Sequence, residues 1–199
     1  MKQYVITISR QFASLGRPVA QSLSEKLGIE FWDRDIVEET AKRMKESVTV
    51  ISDAEESARS AFSLLRQKYR MSLPTYNITD EIFEIQKNII RDVASKESCI
   101  ILGRCGDSIL KDFTNTFHVY LYAPYEYRLK NCIEVYQMEE REAAKMIRNV
   151  DLSRRYYQKR YCPETKSIFD YKDMMLDVSK FGVDGTAEII AGIAKRKFE

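Results

Sequence analysis

The sequence predicts a three-layer α/β/α fold on a mostly parallel five-stranded sheet. Five short runs of β-branched and other apolar residues are spread along the chain, each ended by loop-forming residues. Segments with helical spacing separate them, and strands that alternate with helices pair in parallel with helices on both faces. At 199 residues, 44% hydrophobic and 31% charged, the chain has the size and composition of one globular domain that buries its core without disulfides or a structural metal.

Residues 4–8, Tyr-Val-Ile-Thr-Ile, form the first buried strand and end at Ser9 and Arg10. A loop runs to Gly16. A helix follows in which Pro18 suits the first turn, Val19, Leu23 and Leu27 mark a buried face, and Gly28 stops the element. Residues 29–32 read as a second short strand. From Asp33, placed to cap, Ile36, Val37, Ala41 and Met44 recur at helical spacing. Ser52-Asp53-Ala54-Glu55 reads as a capping box opening a helix toward Arg70, and residues 72–77, with Pro74, break the pattern. Thr79-Asp80-Glu81 starts a helix through about Val93. Residues 99–102 and 117–122 are the third and fourth strands, and helices follow over 125–136 and 139–161. Residues 174–178 make the last strand. Asp184 is expected to cap a final helix over 186–197. The all-helical stretch of about 34–96 is too long for a simple crossover and reads as an inserted lobe within a single domain over 1–199.

The 32 basic and 30 acidic residues leave a net charge of +2, which calls for neither a nucleic-acid nor a membrane partner. Anion binding must then come from local clustering. Cys99, Cys105, Cys132 and Cys162 form no CxxC pair, and His118 is the single histidine, so no Cys/His metal site is expected. The cysteines read as reduced thiols of a cytoplasmic protein, because no secretory signal precedes them. No stretch approaches the ~20 apolar residues of a membrane span. His118, in mid-strand, reads as a core or sheet-face residue.

The loop after the first strand carries the most chemistry. A strand, a turn ending in Gly and a helix N-terminus together present unpaired N–H groups and a dipole to an anion. Laid on Gln11–Pro18, the phosphate-loop pattern G-x-x-x-x-G-K-[ST] matches only at Gly16, with Gln11 for the first Gly, Arg17 for Lys and Pro18 for Ser/Thr. Arg17 still brings a cation to the helix start, and its planar fork suits phosphate oxygens. The missing hydroxyl normally holds Mg²⁺, and Ser14 or Ser9 is the available replacement.

Ile6-Thr7-Ile8-Ser9-Arg10-Gln11-Phe12, Ser14, Gly16-Arg17 and Ala20 resemble the opening of the cytidylate kinase-like family. Leu27-Gly28-Ile29 with Phe31-Trp32-Asp33-Arg34 resembles its second strand and next helix start. Ile100-Ile101-Leu102-Gly103-Arg104 resembles its Gly-Arg strand end, and Phe117-His118-Val119 through Ala123-Pro124 and Arg128 its next strand and helix. Val150-Asp151, Arg154 and Tyr156-Tyr157 resemble its lid helix, and Asp177-Val178-Ser179 with Phe181-Gly182 its last strand and turn. The order of these segments is more specific than any one of them. Ala13 and Leu15 stand where the family usually has glycines, and about 45–90 shows no resemblance. The resemblance implies a nucleoside-monophosphate-kinase fold with a phosphate loop, an acceptor lobe at 34–96 and a lid at about 138–170. It also implies ATP, Mg²⁺ and transfer of the γ-phosphoryl to CMP, dCMP or a similar small acceptor.

Phosphoryl transfer needs positioning and cations more than covalent help. The nucleotide-binding candidates are Ser9, Arg10, Gln11, Phe12, Ala13, Ser14, Leu15, Gly16, Arg17 and Pro18. Arg17, Asp33, Arg148 and Arg154 are the catalytic candidates. Asp33, Asp35, Arg104 and Arg128 are the acceptor-binding candidates, with Arg104 at a strand end on the carboxyl edge of the sheet. Helical spacing puts Arg148, Asp151, Arg155 and Lys159 on one face, whereas the resemblance favours Arg148 and Arg154. A carboxylate at Asp33 can accept a substrate proton, and Phe31 to Glu38 also resembles the Asp-x-Asp stretch of shikimate-type kinases. Tyr156, Tyr157 and Tyr161 read mainly as packing of the lid on the core. The alternatives are a nucleotide-binding module without turnover, since both Lys and Ser/Thr are missing, and a nucleic-acid binder, which the balanced charge disfavours. The long helical insertion makes a homodimer an expectation.

Overall fold

The computed structural model describes residues 3–59 and 78–199. In chain order the elements are β1 (Val5–Arg10), α1 (Gly16–Leu27), β2 (Glu30–Trp32), α2 (Arg34–Met44), α3 (Val48–Arg59), α4 (Ile78–Lys96), β3 (Cys99–Leu102), α5 (Gly106–Ile109), β4 (Thr116–Tyr122), α6 (Tyr125–Glu134), α7 (Glu140–Tyr161), β5 (Met174–Asp177) and α8 (Val178–Phe198). The sheet order is β2-β3-β1-β4-β5, and every neighbouring pair is parallel. All five carboxyl ends therefore meet at one edge, with β1 central.

The register explains the two faces. Ile6 lies between Ile100 and Phe117, and Ile8 between Leu102 and Val119. Period-two alternation turns these residues to one side. There they pack with Val19, Ala20 and Leu23 of α1 and Ala187, Ile190 and Ala194 of α8. Val5, Cys99 and Ile101 face the opposite layer, against Ile36 of α2, Phe83, Ile90 and Ala94 of α4 and Ile109 of α5. Burying each such side chain contributes about 1.5–3 kcal/mol, so this two-sided core fixes the strand ends below the loops. Among the described residues no helix is long and apolar enough to cross a membrane.

Several helix starts differ from expectation. α3 begins at Val48, ahead of the Ser52 box, because Ser47 accepts from the Val50 amide at 3.3 Å. The course expected toward Arg70 and the break at 72–77 lie outside the described residues. Asp33 occupies the cap position of α2 but makes no cap hydrogen bond. The last helix opens at Val178, because the Asp177 carboxylate accepts from the Ser179 amide at 2.9 Å. Gly182, at φ 66°, kinks that helix, and Asp184 instead accepts from the Ser22 hydroxyl at 2.7 Å. The one-turn α5 has no counterpart in the sequence reading. Cys99, Cys105, Cys132 and Cys162 are free and buried.

His118 is buried on β4, with Nδ1 at 2.7 Å from the Thr7 hydroxyl. Burial holds its pKa below the usual 6.5, with Asp107 and Asp173 opposing and Lys172 and Lys197 assisting. The unfolded chain then binds the proton more readily than the folded one, so the stability from neutral His118 is present above pH 6.5 and lost as pH falls below it. Urea titrations at pH 7 and pH 5 should show a smaller acid loss of stability for His118→Gln than for the wild type.

Candidate functional site

The loop between β1 and α1 is laid down by side chains from distant elements. Gln11 donates its amide to the Leu121 carbonyl at 3.0 Å, and its own Oε1 accepts from the Ala123 amide at 3.1 Å. Both bonds tie the loop to the end of β4. Ala13 and Leu15 adopt left-handed backbone, at φ 58° and 61°. These are the positions where the family usually has glycines, and the conformation costs an L-residue roughly 1–2 kcal/mol each. Both residues thus hold backbone angles that glycine adopts without strain, and hold them with a Cβ in place.

Two helices hold that geometry. From α6, Asn131 donates through Nδ2 to the Ala13 carbonyl at 2.9 Å, and Arg128 donates through Nη1 to the Phe12 carbonyl at 3.3 Å. From α7, Asp151 accepts the Phe12 amide at 2.7 Å and pairs through Oδ2 with Arg128 Nη1 at 2.5 Å. Arg154 donates to the Arg10 carbonyl at 2.9 Å. Ala13 is buried among Cys132, Ala143 and Ile147, and the Phe12 ring stacks on Tyr136 with centroids 6.0 Å apart.

The Arg10 side chain crosses two glycines. A Cβ on Gly16 would lie 2.9 Å from Arg10 Cγ, and one on Gly103 would lie 2.1 Å from Arg10 Nη1. Gly103 also has φ 76°, a left-handed conformation open to glycine. The guanidinium therefore reaches from the first loop to the end of β3, beside Arg104.

A cavity of about 180 Å³ opens at this edge. Its walls carry five cations, Arg10, Arg104, Arg154, Arg155 and Lys172, against three carboxylates, Asp33, Asp107 and Asp151. That balance favours an anion. Lys172 and Asp107 are paired in the wall, with side chains only 3% and 2% exposed. Ser9 donates to the same Asp107 oxygen at 3.4 Å, while Asp107 Oδ1 is buried without a hydrogen-bond partner among the described residues. Cys105, also in the wall, has its thiol pushed up by a hydrogen bond with Cys162 and by burial. Burial likewise raises Tyr120, so its hydroxyl stays protonated.

The expected residues divide by place. Ser9, Arg10, Gln11, Asp33, Arg104 and Arg154 line the cavity. Arg155, which helical spacing favours and the resemblance does not, lines it beside Arg154, so the cavity spans both flanks of α7. Arg17 stands at the start of α1 with its side chain 62% exposed, and its Nε lies 3.4 Å from Asp33. Gly16 is buried under Arg10, and the Ser14 hydroxyl is turned back to the Gln11 carbonyl at 3.0 Å. Asp35 and Arg148 are exposed and outside the cavity wall. Arg128 is 8% exposed and engages the loop and Asp151 rather than the cavity. Tyr161 stacks on Phe83 at 4.2 Å, with Tyr157 edge-on at 6.1 Å, which packs α7 onto α4. Asp107 and Lys172 were not found from the sequence. Asp107 sits in a four-residue helix and Lys172 in a loop, and no spacing links them.

Known proteins share the fold. A protein from Eubacterium ventriosum ATCC 27560, described as uncharacterized, shares 25% identity at a TM-score of 0.73, covering 97% of this chain and 99% of that one. The shikimate kinase from Acinetobacter baumannii in complex with shikimate is 14% identical with a TM-score of 0.52, over 100% and 97% of the two chains. A gluconokinase from Sinorhizobium meliloti 1021 is 10% identical with a TM-score of 0.51, over 98% and 95%. Both share the three-layer kinase fold. No curated protein matches the chain. The model of the cytidylate kinase-like family matches residues 5–180, nearly the whole length, and with the loop after β1, the Gly103-Arg104 strand end and α7 in their expected order, the chain belongs to that family.

Proposed function

We propose that the protein is an ATP-dependent phosphotransferase that moves the γ-phosphoryl group to a small anionic acceptor, with CMP or dCMP as the acceptors the family favours. The observation that carries this reading is the arginine-rich cavity on the carboxyl edge of the sheet, directly beside the loop after β1. In open α/β folds that edge is where ligands bind. ATP would lie along residues 9–18, with its phosphates at the first turn of α1, whose amides have no helical partner. Arg17 would reach the β- and γ-phosphates from its exposed position. Arg104 and Arg154 would hold the anionic group of the acceptor, and Asp33 would take the proton of its attacking oxygen. The cations spread along the cavity suit the charge that builds on the transferring oxygens.

Mg²⁺ would arrive with ATP and would supply charge screening to its phosphates. Pro18 has no hydroxyl, Ser14 is committed to Gln11 and Ser9 is turned to Asp107, so Asp33 is the residue that would hold the ion from the protein side.

One observation favours a second acceptor class. Pockets for drug-sized ligands run to roughly 300–1,000 Å³, and the cavity here is smaller at about 180 Å³. A compact hydroxy acid of the shikimate or gluconate kind is the corresponding candidate.

A coupled assay of ADP formation with CMP, dCMP, UMP, AMP, shikimate and gluconate tests both. Turnover with CMP or dCMP supports the first class, turnover with a hydroxy acid alone supports the second, and ATP binding without turnover on any acceptor leaves a nucleotide-binding module. Arg104→Ala is expected to raise the acceptor KM about 10–100-fold, the loss of one charged hydrogen bond, with the KM for ATP little changed. Arg17→Ala should abolish detectable ATP binding by calorimetry. Its Tm should move by no more than about 2 °C, because an exposed side chain is removed. Unchanged ATP affinity would take Arg17 out of the site.

A further inference from the structure

The left-handed residues of the loop after β1 need something to keep them there. Ala13 holds φ 58° although it has a Cβ. The bonds on either side of it come from α6 and α7. Asp151 takes the Phe12 amide at 2.7 Å, and Arg128, paired with the same carboxylate at 2.5 Å, takes the Phe12 carbonyl at 3.3 Å. Asn131 takes the next carbonyl, that of Ala13, at 2.9 Å. The Asp151 and Arg128 side chains are 16% and 10% exposed, which strengthens their attraction beyond that of a surface pair. Among the described residues Arg128 Nε is buried without a hydrogen-bond partner, and the Asp151 carboxylate is the guanidinium's paired counter-charge.

We propose that Asp151 is a positioning residue: through the Phe12 amide and Arg128 it imposes the left-handed backbone at Ala13 that glycine would otherwise allow, and so shapes the phosphate-binding loop from the lid helix. The effect on nucleotide binding rests on the proposed ATP-binding reading, whereas the effect on backbone shape does not. Two charge-assisted bonds, stronger than neutral ones, offset the left-handed strain at Ala13. A loop so held ties nucleotide affinity to the position of α7. A glycine-rich loop needs no such partner.

The test compares wild type, Asp151→Asn, and Asp151→Asn with Ala13→Gly. Crystal structures report φ at residue 13, and calorimetry with the β,γ-imido analogue of ATP reports affinity. The expected result is a negative φ at Ala13 in Asp151→Asn and a loss of affinity of at least tenfold. Adding Ala13→Gly should recover at least fivefold of that loss, because glycine reaches the bound shape at little cost. A purely structural role for Asp151 would give no such recovery. If Asp151→Asn fails to fold because Arg128 is left without a counter-charge, the pair Asp151→Asn with Arg128→Met is read in its place. Ala13 keeping its positive φ, affinity within twofold of wild type, or a loss that glycine does not recover would each overturn the proposal. Wild-type protein that fails to bind the analogue would sink the ATP reading instead, and the backbone angle alone would then decide the role of Asp151.

Discussion

The Asp151 carboxylate is the point on which the site turns. It joins by polar bonds three segments that also share a small apolar cluster: the loop after β1, helix α6 and helix α7. The hydrophobic layers fix the sheet, α1 and α8, but their contacts stop at the strand ends. Above that edge the backbone follows polar bonds. A small apolar cluster of Ala13, Cys132, Ala143 and Ile147 supports them from behind. Shape at the site therefore rests on polar bonds backed by that cluster, where shape in the sheet core rests on packing alone.

This division explains what could be read from the chain. The five strands, their parallel pairing and most helices were legible, because burial imposes a period that sequence displays directly: Ile6 and Ile8 alternate, and Val19 and Leu23 recur on one face. The segments of α7 were legible from the order of Val150-Asp151, Arg154 and the tyrosines. Helix starts were less so. Ser52 with Glu55 and Asp184 near Thr186 have the composition of caps, yet Ser47 and Asp177 do the capping. Two candidate caps a few residues apart differ by less than the packing of the helix that follows.

Within the site, the cavity wall was partly legible. Arg104 and Arg154 follow from their strand end and helix. The Asp107–Lys172 pair was hidden, because it joins residues far apart in sequence that share no period. Arg128 was read as a ligand for an acceptor, and its charge is spent inside on Asp151. An arginine's residue type announces an anion, but does not say whether that anion is a visitor or part of the chain.

Arg10 has a consequence of a different sort. Its side chain lies against Gly16 at the start of α1 and Gly103 at the end of β3. At Gly16 that arm alone excludes a Cβ, whereas Gly103 is held to glycine by its φ of 76° as well. A shorter residue at position 10 therefore opens position 16 to a side chain and leaves position 103 closed to one.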